Sequence, residues 1–258
     1  MKQSTMNLFC LPYSGASSAV YYQWQRKLPT WIKVCPVELP GRGMRMDEPL
    51  QTNFSELVIQ LADDVSGRIN GQPYAVFGHS LGAILAFELV RQLVVIGAPD
   101  PITLIASGTS APTQRQRCID DLEALETDDN LIAHLKKLGG MPEEVINNQE
   151  LMEMILPVIR ADFELCKNYS YAPSVNKFSC PLVVISGRDE DITSEELLAW
   201  QDQAGERFSM MKFEGKHFFI HESQADVLQY IRKHIRECMA AAKSGGSQVG
   251  YSSGLMLG

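Results

Sequence analysis

A serine stands between two glycines at Gly78-His79-Ser80-Leu81-Gly82. A serine hydroxyl alone is a poor nucleophile. Chemistry at Ser80 needs a base, a group that orients the base, and donors for the oxyanion that attack creates. The flanks suit such chemistry. An apolar run at 74–77 leads in, and a helical apolar pattern at 81–93 leads out. Strand, sharp turn and helix in that order form a nucleophile elbow, whose glycines keep a crowded turn clear. Ser80 is then expected at the C-terminal edge of a sheet, close to helix N–H groups and the positive end of the helix dipole.

Serine hydrolases with such an elbow carry nucleophile, acid and histidine in that chain order. The base therefore lies after Ser80, among His134, His217, His221 and His234. His134 falls in a helical insertion and His234 in the last helix, where packed or solvated histidines belong. His217, in Glu214-Gly215-Lys216-His217-Phe218-Phe219, lies between the last strand and the last helix. That loop is at the C-terminal edge of the sheet, where open α/β sheets bind ligands. His217 is assigned as general base, with His221 as the fallback. His79 adjoins the serine, but neighbours across a sharp turn diverge, so it is expected to pack beneath the elbow.

The acid should follow the strand at 182–186, in Gly187-Arg188-Asp189-Glu190-Asp191-Ile192-Thr193. Three acids compete. The usual pattern is an Asp three positions before Val or Ile, then a Ser or Thr that caps the next helix. Asp189 fits, with Ile192 and Thr193 in register; Asp191 ranks second and Glu190 third. The oxyanion hole is expected from two backbone N–H groups, that of Leu81 and that of Ser14 in the loop Leu11-Pro12-Tyr13-Ser14-Gly15-Ala16.

These residues need a scaffold. Short apolar runs without alternation at 7–11, 34–39, 74–77, 102–107, 182–186 and 208–213 suit parallel strands buried on both faces. Helical patterns at 54–69, 81–93, 195–204 and 225–239 alternate with them. Repeated β-then-α order predicts a mostly parallel, doubly wound sheet with right-handed crossovers; with the elbow, this is the α/β-hydrolase fold. Residues 115–172 break the alternation. They read as helices at 120–125, 129–138 and 152–169, with Pro157 starting or kinking the last, and form an inserted lid. Its apolar positions Met152, Ile155, Leu156, Ile159 and Phe163 can pack the lid on itself or line an acyl pocket. The reading is one domain over 1–240 with the lid at about 115–172. The Gly- and Ser-rich tail, 241–258, is expected to be disordered.

Composition narrows the class. With 258 residues and 45% hydrophobic content, the chain suits one large α/β domain. Lys and Arg number 23 against 31 Asp and Glu, a net charge of −8 with no basic run. That balance argues against nucleic acid or an anionic membrane as partner; an acidic partner would need a local basic patch. Six cysteines are scattered without metal-ligand spacing, so free thiols and no metal are expected. The first residues carry no long apolar segment of a signal peptide, and no run reaches the ~18 residues of a spanning helix. A cytoplasmic setting follows as the expectation. No exposed apolar stripe stands out, so a monomer is expected.

Further motifs occur in order. Cys10-Leu11-Pro12-Tyr13-Ser14-Gly15 is followed by Tyr21-Tyr22-Gln23-Trp24, then Leu39-Pro40-Gly41-Arg42-Gly43 and the elbow. Leu138-Gly139-Gly140-Met141-Pro142 and Ile159-Arg160-Ala161-Asp162-Phe163 fall in the lid, and Leu198-Ala199-Trp200 and His217-Phe218-Phe219 come late. Together they resemble the type II thioesterases that accompany nonribosomal peptide and polyketide synthases, over residues 7–236. The resemblance implies a stand-alone editing enzyme that clears stalled or wrong acyl groups from the phosphopantetheine arm of acyl or peptidyl carrier domains, without metal or cofactor. It implies Ser80, Asp189 and His217 as triad and the Ser14 and Leu81 amides as oxyanion hole.

Three features depart from the family pattern. Lys216 stands where the family often has a second glycine before the histidine. Ser14-Gly15-Ala16 replaces the usual Ala-Gly-Gly. The acid loop is one residue off the commonest spacing from Gly187. A generic serine carboxylesterase would share the triad and differ in lid and motifs. Arg42 is open to two roles, contacting a carrier phosphate or holding its own loop.

Overall fold

The computed structural model describes residues 5–115, 120, 122, 125, 127–141, 143–174 and 177–245. One sheet contains β1 (Met6–Leu11), β2 (Ile32–Pro36), β3 (Tyr74–His79), β4 (Leu104–Ser107), β5 (Leu182–Gly187) and β6 (Phe208–Phe213). The spatial order is β2-β1-β3-β4-β5-β6, and each neighbouring pair is parallel. The chain winds outward from β1 to β2, then reverses through β3. The C-terminal ends of β1 and β3 therefore flank a topological switch point, the place where such sheets bind ligands.

β1, β3, β4 and β5 are buried along their whole length, which explains why they read as apolar runs rather than as alternating patterns. Alternate residues serve two cores. Phe9, Val76 and Val184 face one layer, and Leu8, Phe77 and Val183 face the other. β2 ends at Pro36 on the sheet edge, where the missing N–H is tolerated.

The helices are α1 (Tyr22–Lys27), α2 (Phe54–Ile69), α3 (Leu81–Val95), α4 (Asp128–Leu138), α5 (Glu143–Ile146), α6 (Gln149–Asn168), α7 (Ser194–Leu198), α8 (Phe219–Glu222) and α9 (Gln224–Gly245). α2 shows why its bounds were legible. Asn53 caps Ser55 and Glu56 through its side chain, buried residues recur at 54, 57, 58, 61, 65 and 69, and Asn70 ends the helix at φ 49°.

Elsewhere the bounds shift. The expected helix at 195–204 is α7 followed by a 3₁₀ turn, Ala199–Gln203. α9 runs to Gly245, so residues 241–245 of the expected disordered tail are helical. The rest of that tail lies outside the described residues. In the lid, half of the expected helix at 120–125 also lies outside them. α6 begins earlier than its apolar pattern, because Asn148 caps it, and this leaves Pro157 inside the helix.

Candidate active site

The elbow is built as its residues predict. Ser80 has φ 56° and ψ −120°, a backbone shape few L-residues adopt, at a cost of about 1–3 kcal/mol. It is held there by Ser80 N–H donating to Ser107 O at 2.8 Å. Both glycines are required by contact. A Cβ on Gly78 would lie 1.9 Å from Gly82 O, and one on Gly82 would lie 2.3 Å from Leu11 O. Leu81 is the first residue of α3, so its N–H is one of the first-turn donors without an intrahelical acceptor.

The loop after β1 supplies the other side. Its amides divide clearly. Gly15 N–H donates to Asp162 Oδ2 at 2.7 Å, Ala16 N–H donates to Tyr13 O at 3.0 Å, and Pro12 has no N–H. Ser14, Ser80, Leu81 and His217 all line one cavity of about 590 Å³. The fifth expected residue, Asp189, lines the same cavity but does not meet His217.

The fifth is corrected. Glu190, not Asp189, meets the histidine: Glu190 Oε1 lies 2.5 Å from His217 Nδ1. The Glu190 side chain is 3% exposed and that of His217 is 16% exposed. The other carboxylate oxygen, Oε2, accepts from Ser186 Oγ at 2.7 Å and from Gly187 N–H at 3.0 Å. The end of β5 is therefore a receptor for a carboxylate that reaches back along the strand. Asp189 gives its N–H to Gly215 O at 3.1 Å, and that turn leaves the residue exposed at the cavity mouth. Asp191 is exposed there too. Thr193 does cap α7, in a capping box with Glu196, so the expected cap is present even though the acid is a different residue.

With Nδ1–H donated to Glu190, His217 presents Nε2 as the free base nitrogen. His79 lies fully buried beneath the elbow, its Nδ1 2.8 Å from Ser107 Oγ. Burial, aided by the nearby His217 and His221, pushes its pKa well below 6.5, so it stays neutral beside the base. The two rings are 5.0 Å apart. His221, the fallback base, has its Nε2 3.0 Å from Tyr13 Oη; burial pushes that phenol up to about 12. His234 packs away from the site against Thr103 Oγ1 at 2.8 Å. His134 lines the cavity, its ring 6.2 Å from that of Phe163.

The lid forms much of the cavity wall. Leu135 and Leu138 come from α4, and Ile159, Phe163 and Cys166 from α6. Of the five apolar lid positions, Ile159 and Phe163 face the cavity, while Met152 is buried elsewhere in the structure. Lys216, the departure before the histidine, lines the cavity beside His217.

Arg42 takes the loop-holding role. Its guanidinium makes a two-pronged contact with Asp162, Nη1 to Oδ2 and Nη2 to Oδ1, both at 2.6 Å. Asp162 was missed as a functional residue. Its signal was an acid on the inward face of an amphipathic helix, three residues after Ile159 and four before Cys166.

A strained serine, a part-buried histidine–carboxylate pair and a lid-covered apolar cavity define a serine hydrolase site. Residues 6–235 match the thioesterase domain family. The chain belongs to that family. It is 35% identical to the gramicidin S biosynthesis protein GrsT of Aneurinibacillus migulanus over 236 residues, 91% of each chain. The fold is similar to that of ClbQ from the colibactin NRPS/PKS pathway, with a TM-score of 0.86, 33% identity, and coverage of 92% of this chain and 100% of that one. RedJ, a thioesterase from the prodiginine pathway of Streptomyces coelicolor, gives a TM-score of 0.82 at 31% identity, covering 90% of this chain and 86% of that one. The α/β-hydrolase fold and the thioesterase relationship expected from the motifs are both borne out. Among the described residues no helix is long and apolar enough to cross a membrane.

Proposed function

We propose that this thioesterase-family chain is a stand-alone editing enzyme. It hydrolyses acyl thioesters from the phosphopantetheine arm of carrier domains in nonribosomal peptide or polyketide assembly. The observation that carries the chemistry is the His217–Glu190 contact inside the cavity that holds Ser80. Similarity to proteins named for gramicidin S, colibactin and prodiginine pathways supports the pathway class.

The mechanism follows from the positions. His217 Nε2 takes the Ser80 proton as Oγ attacks the thioester carbonyl carbon. The Ser14 and Leu81 amides hold the oxyanion. The tetrahedral species collapses with cleavage of the C–S bond, and His217 returns the proton to the departing pantetheine sulfur. A water molecule then attacks the Ser80 ester by the same route and releases a carboxylic acid and free Ser80. Glu190 holds the imidazole in the required tautomer and stabilises the imidazolium. The cycle as written needs only side chains and backbone amides of this chain, and the reading is of a monomer acting without metal or cofactor. The carrier domain brings the pantetheine. An intracellular setting fits substrates that stay tethered to a synthase.

The test compares turnover of acyl-loaded carrier domains with that of matched free aryl esters. The proposal expects the higher kcat/KM on the carrier-bound thioester. Turnover of free esters with none of the carrier substrate would overturn it in favour of a small-ester carboxylesterase.

A further inference from the structure

The Arg42–Asp162 pair touches no reacting atom, yet it grips the loop beside the nucleophile. Asp162 lies on α6 and is fully buried; the Arg42 side chain is 6% exposed. Three N–H groups converge on this one carboxylate. Two come from Arg42, and the third is the amide of Gly15 at 2.7 Å. A buried carboxylate is tolerated when it is paired and hydrogen-bonded in this way.

The same face of α6 fixes the loop sterically. Ile159, one turn before Asp162, presses on Gly15 so closely that a Cβ there would lie 2.7 Å from Ile159 Cγ1. Gly15 sits at φ 78°, in the left-handed region. Its N–H belongs to the peptide group that joins it to Ser14. Aiming that N–H at Asp162 fixes the plane of this peptide, which adjoins the Ser14 amide plane at Ser14 Cα and so restrains the backbone that carries the Ser14 N–H.

We propose that Asp162 is a positioning residue for the oxyanion hole, acting through the Gly15 amide, with Arg42 holding its carboxylate in place. The lid helix thereby sets the geometry of the catalytic loop as well as roofing the cavity. The inference rests on the reading that the Ser14 amide is an oxyanion donor to Ser80 chemistry.

Stability alone does not call for an ion pair here, because a well-packed apolar pair commonly serves a buried site equally well. That separates the two roles in an experiment. In R42M/D162N the pair is gone, but the Asn oxygen can still accept from Gly15. In R42M/D162L no acceptor remains. At matched melting temperature, R42M/D162L is expected to show a kcat about tenfold or more below that of R42M/D162N, since losing one oxyanion donor outright costs on the order of 10²–10³-fold. KM for an acyl-carrier substrate should be the same in both. The inhibition constant of phenylboronic acid, which forms a tetrahedral anion on the serine, should rise by the same factor as kcat falls.

If R42M/D162L does not fold, D162E makes the test. It keeps the charge and pushes Gly15 by one methylene, and kcat and boronate affinity must again fall together. Equal kcat in the two double variants, or a change confined to KM, would overturn the proposal. Ser80→Ala separates its failure from that of the parent reading: turnover surviving in Ser80→Ala would remove the serine mechanism itself.

Discussion

At the scale of single residues, the decisive feature is which carboxylate reaches His217. The acid loop offers Asp189, Glu190 and Asp191 in a row, and a pattern of Asp before Ile-Thr selects the first. The fold selects the second, because Ser186 Oγ and Gly187 N–H form a receptor at the strand end and Glu190 has the reach to return to it. That Ser80, His217, Ser14 and Leu81 share one cavity was legible, because elbow geometry, chain order and the sheet's C-terminal edge constrain where they lie. The acid was not, since its identity depends on which residue of a tight turn points inward. Glu190→Gln is expected to lower kcat by on the order of 10³–10⁴-fold, as when a triad acid is replaced by its amide. Asp189→Asn should leave kcat close to wild type. Steady-state kinetics of the two variants checks this, and the reverse pattern would restore Asp189 as the acid.

At the scale of elements, the lid was legible in its helical periodicity but not in its contacts. Ile159, Asp162, Phe163 and Cys166 share one face of α6. Only the assembled fold shows that this face meets the loop after β1 and the cavity as well as the lid helix α4, through His134 and Phe163. The segment after α4 makes a second such contact. A Cβ on Gly140 would lie 1.9 Å from Phe218 Cε2, and Phe218 is the residue after His217. Gly140→Ala must therefore displace the Phe218 ring, which is a cavity wall. The expected outcome is a fall in kcat/KM of about tenfold together with a lower melting temperature, because the displaced ring is buried among Tyr13, His79, His217 and His221 and overpacking of this kind costs roughly 1–3 kcal/mol. Kinetics and thermal unfolding of the variant check this; wild-type kcat/KM would show that the lid does not set the position of Phe218.

At the scale of the whole molecule, the buried strands, the switch point between β1 and β3 and the late histidine loop were all readable as apolar runs and their order. The extent of α9 was not, because its last residues, AAKSG, carry no apolar stripe. Stability should depend on pH through His79. Its folded pKa lies well below 6.5, so below pH 6.5 the unfolded chain binds a proton that the folded chain does not. Stability present above that pH is lost as pH falls through it, by up to about 1.4 kcal/mol per pH unit for one such group. Thermal unfolding between pH 7.5 and 5.5, with proton uptake measured by calorimetry in buffers of different ionisation enthalpy, checks the sign. A melting temperature that rises across that fall in pH would contradict it.

The central claim is that Ser80, driven by His217 and Glu190, cleaves an acyl thioester on a carrier domain. Its most direct test is discharge of an acyl-loaded carrier domain, followed by intact mass, with the wild-type chain and with Ser80→Ala at equal concentration. The wild type should convert acyl carrier to free holo carrier, and the variant should give none above background. Discharge by both, or by neither, would contradict the claim.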